Sequence, residues 1–262
     1  MQAVRVDGIE VAYDRVGQGP PLVLAHGATT DARLFQGQLR DLADEFTVVA
    51  WDEPGAGRSS DVPAGFTLAD YARCLAAVVE DVGLGPAHLL GLSWGGTVVL
   101  ELYRRTPGLV RTLLLVDTYA GWKGSLPAEV RARVEGAERM LAVPPQEFAP
   151  TLPGLFAGTP PAEAVRLLSV MSAATRPGSM RTELTVMAEA DLSGLLPAIT
   201  VPTLLLWGEL DRRSPVDPVA RAFLAAIPEA TLVVLPGVGH LSNIEATEAF
   251  NRTVREFCRA RS

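Results

Sequence analysis

The chain has 262 residues, 48% of them hydrophobic and 20% charged, and carries a formal net charge of -7. That size suits one domain with a fully buried sheet and a small insertion, while the acidic balance excludes a basic surface for nucleic acid or for an anionic membrane. Two cysteines, Cys74 and Cys258, without metal-ligand spacing exclude a disulfide framework and a thiolate metal centre.

Residues 1–8 go straight into strand pattern with no targeting signal, and no apolar run is long enough to span a bilayer, so a cytoplasmic protein is expected. Residues 4–6 and 9–13 flank Asp7-Gly8, a hairpin signal that predicts two antiparallel strands. Apolar runs then follow over residues 22–25, 47–51, 88–92, 112–116, 203–207 and 231–235. They alternate with amphipathic stretches such as Leu68–Val82. Strands apolar on both faces and separated by helices predict an α/β architecture, a mostly parallel sheet covered on both sides. In such sheets reactive groups gather beyond the carboxyl ends of the strands.

Between Tyr119 and about Pro197 the alternation gives way to helical segments interrupted by Pro144-Pro145, Pro150, Pro153 and Pro160-Pro161. The predicted division is a core of residues 1–118 and 198–262 with a helical cap, 119–197, lying over the reactive edge and walling a pocket. Trp122, Met140, Leu152, Phe156, Met171, Met180 and Met187 are candidates to line it, although such residues at helical spacing also pack helices together. Arg131, Arg139, Arg176 and Arg181 either bind a substrate carboxylate or stand on solvated helix faces.

Ser93 is the candidate nucleophile. It sits in Gly91-Leu92-Ser93-Trp94-Gly95-Gly96, between an apolar strand run and a helix-compatible stretch. A sharp strand-to-helix turn strains the central residue, and a neighbouring Cβ would clash there. The N–H groups of Trp94 and Gly95 then open a helix, where free donors favour a developing oxyanion.

A serine hydroxyl needs a positioned base, and the chain has three histidines. His88 lies about 16 Å back along the strand of Ser93 and cannot reach its Oγ. His26, followed by Gly27, is at a position that more often orders a loop than abstracts a proton, and is the lesser candidate for the base. His240 closes Gly237-Val238-Gly239-His240 beyond a strand and is the preferred base. A carboxylate on its second nitrogen would fix the tautomer and stabilise the cation. Asp211, beyond residues 203–207, is preferred for that role. Asp117, at the end of residues 113–116, is the rival and otherwise reads as a helix cap or turn residue. Glu209 and Asp217 read as solvated carboxylates.

Residues 51–60, WDEPGAGRSS, form a loop on the reactive side. Its glycines suit tight turns, since the third glycine of a dinucleotide fingerprint is missing. Asp52 and Arg58 are expected to tie this loop together, with Glu53 facing the active-site side.

The segments HGATTD, WDEPGAGRSS, GLSWGG, LLLVDTYAGW, LLLWGELD and PGVGHLSNIE resemble those of the α/β-hydrolase superfamily in order and separation. Residues 239–251 resemble the 3-oxoadipate enol-lactonase and carboxylesterase-like group. The resemblance implies the α/β-hydrolase fold, and it implies a serine hydrolase with catalytic Ser93, Asp211 and His240. The oxyanion hole would be the backbone N–H groups of Ala28 and Trp94. Independently of the resemblance, His26 and the cap residues Trp122, Phe156 and Met140 are the candidates to touch substrate. Many enol-lactonase-like members have Met after the serine and Arg-Gly-His-Gly in the earlier loop. This chain has Trp94 and Glu53-Pro54-Gly55-Ala56-Gly57 instead, departures that bear on the substrate.

No cofactor and no metal are expected. The expected partner is a small-molecule ester or lactone, with no nucleic acid, no membrane and at most a second copy of the chain in a homodimer. The same three residues also support carbon–carbon bond hydrolysis, thioester cleavage and perhydrolysis. A ligand receptor of the same fold would keep them with little turnover. Dehalogenase and epoxide hydrolase chemistry is disfavoured, since it uses a carboxylate where this chain has Ser93.

Overall fold

A computed structural model describes residues 2–144 and 154–262. Leu152, Pro145, Pro150 and Pro153 lie outside the described residues. Eight strands form one sheet: β1 (Gln2–Val6), β2 (Ile9–Val16), β3 (Pro21–Ala25), β4 (Thr47–Trp51), β5 (Ala87–Leu92), β6 (Val110–Val116), β7 (Thr203–Gly208) and β8 (Ala230–Leu235). Their order is β1-β2-β4-β3-β5-β6-β7-β8. The first two strands form the antiparallel hairpin, turning through Asp7 and Gly8 at φ 49° and 87°. Positive φ at both turn positions matches the twist of the flanking strands. β2 also runs antiparallel to β4, and every later pairing is parallel.

The helices are α1 (Gln36–Asp41), α2 (Leu68–Val82), α3 (Trp94–Arg105), α4 (Trp122–Ser125), α5 (Val130–Leu141), α6 (Ala162–Ala173), α7 (Pro177–Glu189), α8 (Arg221–Ala226), α9 (Ser242–Glu245) and α10 (Thr247–Arg259). The chain enters α2 through a capping box between Thr67 and Asp70 and leaves it at Gly83, φ 70°. Two orphan amides are thereby satisfied at one end, and a left-handed residue without a Cβ closes the other.

Because side chains alternate along a strand, each buried strand feeds two cores. Val23, Leu89, Leu113 and Leu205 pack against α2, α3 and α8, while Leu22, Leu90, Leu114 and Leu206 pack against α10 through Phe250 and Val254. Fully burying one such side chain contributes roughly 2 kcal/mol, which holds the sheet rigid beneath the loops at its carboxyl edge. Helices α4 to α7 lie between β6 and β7, with Met180 and Met187 of α7 buried. Both cysteines are buried and free. No helix among the described residues is long and apolar enough to cross a membrane.

Candidate active site

Ser93 occupies the turn between β5 and α3 at φ 55° and ψ -120°, a backbone state that costs about 1–3 kcal/mol in a residue with a Cβ. The surroundings enforce it. A Cβ on Gly91 would lie 2.4 Å from the Gly96 Cα, and one on Gly95 would lie 2.2 Å from the Ala25 carbonyl oxygen. These contacts are backbone and cannot yield, so the two glycines let α3 start directly against β3 and β5. The Ser93 N–H donates to Val116 O at 2.9 Å, and Thr118 Oγ1 donates to Ser93 O. The nucleophile position is thus anchored to the last residue of β6 and to the loop just beyond it.

His240, from the loop after β8, lies with Nε2 3.0 Å from Ser93 Oγ and Nδ1 2.8 Å from Asp211 Oδ2. Asp211 Oδ1 accepts the N–H groups of Arg213 and Ser214 at 2.7 and 2.9 Å. A carboxylate saturated in this way keeps its acceptor aimed at Nδ1, so the imidazole carries its proton on Nδ1 and offers the Nε2 lone pair to Ser93. Asp211 and His240 are 4% and 2% exposed. The His240 loop is held by Glu245, whose two oxygens accept from Gly239 N at 2.7 Å and Ala157 N at 3.0 Å.

Asp117 is not a partner of His240; it sits in the bend after β6 at φ 44°, as its reading as a turn residue expects. Its Oδ1 accepts the Gly208 N–H at 2.8 Å and its Oδ2 the Ser242 hydroxyl at 2.5 Å, tying the ends of β6 and β7 to α9. Burial first, and then the negative charge of Asp211, push its proton affinity well above the ordinary carboxylate range.

A cavity of about 490 Å³ opens over Ser93 and His240, and Ala28, Trp122 and Met140 are in its wall. The N–H groups of Ala28 and Trp94 have no protein acceptor among the described residues. His26 and Phe156 are not in the wall. His26 is fully buried and turned into its own loop, with Nδ1 2.9 Å from Gly27 O and Nε2 accepting the Glu53 N–H at 3.1 Å. Burial lowers its proton affinity and keeps it neutral. Phe156 instead packs on the cluster of α10. Glu53 likewise turns away from the cavity: it is buried and accepts from Trp94 Nε1 at 2.7 Å. Asp52 does tie its loop, accepting from Ala32 N at 2.8 Å and Arg58 Nε at 2.6 Å.

Of the arginines singled out in the sequence, Arg139 reaches the cavity wall. Arg176 is bonded to Gly55 O and Ser59 O, and Arg131 pairs with Glu135 on an exposed face. Three more line the cavity that sequence reasoning passed over, Arg133, Arg212 and Arg213. Arg212 and Arg213 were findable, since they directly follow Asp211. Arg133 carries no such signal. Its guanidinium stacks 5.3 and 5.7 Å from the rings of Tyr119 and Trp122 and donates to Arg213 O at 2.8 Å.

A serine at a strained strand-to-helix turn, a histidine on its Oγ and a carboxylate behind the histidine, all at one edge of a mostly parallel sheet, define the layout of a serine-dependent hydrolase. The chain belongs to the α/β-hydrolase fold family, whose model matches residues 20–247. It is similar in structure to a thermophilic esterase from Thermogutta terrifontis, solved with malate bound (TM-score 0.88, 31% identity, 99% of each chain), and to the enol-lactonase of Burkholderia xenovorans LB400 (TM-score 0.82, 25% identity, 98% of this chain and 100% of that one). In sequence it is 31% identical, over 97% of its own length and 68% of the other's, to the dihydrolipoyllysine-residue acetyltransferase component of the acetoin cleaving system of Cupriavidus necator.

Proposed function

We propose that the protein is a serine hydrolase that cleaves a small carboxylic ester or lactone through an acyl-enzyme on Ser93. The observation that carries this reading is the continuous hydrogen-bonded line from Ser93 Oγ through His240 to Asp211, at 3.0 and 2.8 Å. His240 Nε2 takes the Ser93 proton as Oγ attacks the carbonyl carbon, and Asp211 stabilises the imidazolium that forms. The Ala28 and Trp94 N–H groups receive the oxyanion, each donor contributing about 3 kcal/mol to the transition state. His240 returns the proton to the leaving alkoxide. Water, deprotonated by the same nitrogen, then resolves the acyl-enzyme. Helices α4 to α7 act as the cap that walls the cavity and limits water access.

The charge of the cavity narrows the substrate. Arg139, Arg212 and Arg213 line it without an ion-pair partner among the described residues, and no carboxylate side chain stands beside them in the described wall. Uncompensated cations in the pocket of a chain of net charge -7 favour an ester or lactone that carries a carboxylate of its own. The malate bound by the Thermogutta relative and the enol-lactone chemistry of the Burkholderia relative agree with that reading.

The test is hydrolysis of p-nitrophenyl esters and small lactones, in matched neutral and carboxylated pairs, by wild type and by Ser93→Ala. Sustained turnover lost in the variant, with lower KM for the carboxylated member of each pair, is the expected result. A single stoichiometric burst, or equal rates from both proteins, would overturn the reading in favour of a receptor-like protein.

A further inference from the structure

Asp211 is held at its far oxygen by two backbone N–H groups, and one of them belongs to a peptide whose other end is gripped from the cap side. Oδ1 accepts the Arg213 N–H at 2.7 Å and the Ser214 N–H at 2.9 Å, while Oδ2 faces His240 Nδ1 at 2.8 Å. The Ser214 N–H shares its peptide with the Arg213 carbonyl. That carbonyl accepts from Tyr119 Oη at 2.5 Å and from Arg133 Nη2 at 2.8 Å, and no other donor reaches it among the described residues.

A peptide is planar, with its C=O and N–H pointing in opposite directions, so whatever fixes the carbonyl fixes the N–H as well. Ser214 itself is pinned to the core: its Oγ donates to Thr118 O at 2.6 Å and its own carbonyl accepts from Trp207 Nε1 at 2.7 Å. The plane of the 213–214 peptide is left to Tyr119, in the loop after β6, and to Arg133, on α5. These two act as one unit. Tyr119 is buried, which pushes its phenol up to about 12 and keeps it a donor. Arg133 Nη1 donates to Tyr119 Oη at 3.3 Å, and the guanidinium stacks on the rings of Tyr119 and Trp122. Glu129, one turn earlier, accepts from Arg133 Nε at 3.0 Å and Nη2 at 2.8 Å and steadies the fork. A cation on the carbonyl oxygen also polarises the peptide, which makes its N–H a stronger donor to a carboxylate.

We propose that Arg133 and Tyr119 are positioning residues for Asp211: by fixing the Arg213 carbonyl they fix the Ser214 N–H that aims the carboxylate at His240, so the seating of α5 sets the alignment of Ser93, His240 and Asp211. The proposal rests on the serine hydrolase reading for its effect on turnover. It goes beyond that reading by giving a cap side chain a part in orienting the acid.

The test uses the full chain and compares wild type, Arg133→Met, Arg133→Lys, Tyr119→Phe and the Arg133→Met/Tyr119→Phe double variant. Arg133 and Tyr119 also line the cavity, so the assay takes a small neutral p-nitrophenyl ester, for which the loss of a cavity cation matters least. The second readout is the proton NMR signal of His240 Nδ1–H, which a charge-assisted bond to a carboxylate moves far downfield. The double variant leaves the carbonyl bare and should lose about 10²-fold in kcat with KM within about threefold. Its downfield signal should broaden or vanish. Arg133→Met should lose about tenfold and Tyr119→Phe less, since each keeps one donor, and Arg133→Lys, which restores a cationic donor, should recover most of the loss.

A double variant with wild-type kcat, a loss carried by KM alone, or a downfield signal unchanged from wild type would each overturn the proposal. A role confined to stability would lower Tm and leave both readouts where they were. If the double variant does not fold, Arg133→Met and Arg133→Lys decide by the same criteria. A wild type with no turnover would refute the serine hydrolase reading, and the downfield signal alone would then judge the alignment of Asp211. A wild type with neither turnover nor that signal would overturn both, because Asp211 would not be holding the Nδ1 proton.

Discussion

Replacing Glu183 by Gln should change how stability depends on pH, and the size of the change follows from burial. Desolvation raises the Glu183 carboxyl from its ordinary 4.5 to about 8. A carboxyl raised on folding contributes its full stability below about pH 4.5. That contribution is lost at about 1.4 kcal/mol per pH unit as the pH climbs toward 8 and levels off above it. Between pH 5 and pH 8 wild type should therefore lose about 3 kcal/mol that Glu183→Gln does not lose. The amide brings its own cost of a buried, imperfectly paired group, about 1–3 kcal/mol, but that cost does not vary with pH. Only the difference between the two pH profiles carries the test. In a chain of this length a shift of about 3 kcal/mol is roughly 6–12 °C in Tm. The measurement is thermal unfolding followed by circular dichroism every half pH unit from 5 to 8.5. Wild-type and variant curves that stay parallel within about 2 °C across that range would refute the account, because they would mean that Glu183 ionises in the folded protein as readily as in the unfolded chain.

At the nucleophile, Ser93→Ala and Ser93→Gly should both lose at least about 10⁴ in kcat. Ser93→Gly should nevertheless unfold about 1 kcal/mol later than Ser93→Ala, because only glycine relieves the strain at φ 55°, and matched denaturant titrations would show it. Asp211→Asn should cost about 10⁴ in kcat by favouring the wrong tautomer of His240, whereas Asp117→Asn should cost less than about tenfold, since that carboxyl serves Gly208 and Ser242 rather than the imidazole. Equal losses in steady-state assays would reverse the assignment of the acid. Arg133→Ala should destabilise by about 2 kcal/mol. It removes the stacking on Tyr119 and Trp122 and the bond to Arg213 O, but Tyr119 Oη still donates to that carbonyl, so no orphan acceptor is created. A Tm within 2 °C of wild type would show that this guanidinium does not hold α5 to the core.

The parts of this molecule that were legible in the sequence are those set by local chemistry. The limits of β4 and α2 coincide with the residues read from pattern, because an apolar run ending at Trp51 and a Thr67–Asp70 capping box define their own ends. β2 runs to Val16, beyond the 9–13 stretch, because Asp14 and Arg15 pair with Ala50 and Val49, and only a neighbouring strand can supply that hydrogen bonding. The same division runs through the site. Gly91, Ser93 and Gly95 announce a turn whose strain and close contacts are all within reach of a few residues, and Ser93, Asp211 and His240 converge because each follows a strand of one parallel sheet.

Glu53 shows where such reasoning stops. Its loop was placed at the reactive edge, yet its side chain turns inward, because the Trp94 indole offers a donor there and α7 closes the seam from a segment more than a hundred residues away in the chain. His26 turns inward for a related reason, since the Glu53 N–H needs an acceptor once its loop is buried. Phe156 and the cavity arginines belong to the same class of question: which face of an inserted helix or loop meets the cavity is decided by packing between distant segments, and no periodicity within either segment records it. The substrate is set by those same contacts. A cavity wall of apolar side chains that also includes Arg139, Arg212 and Arg213 is a property of two segments meeting, so the strained turn at Ser93 was readable from motif while the shape and charge of the cavity depend on where the cap comes to rest.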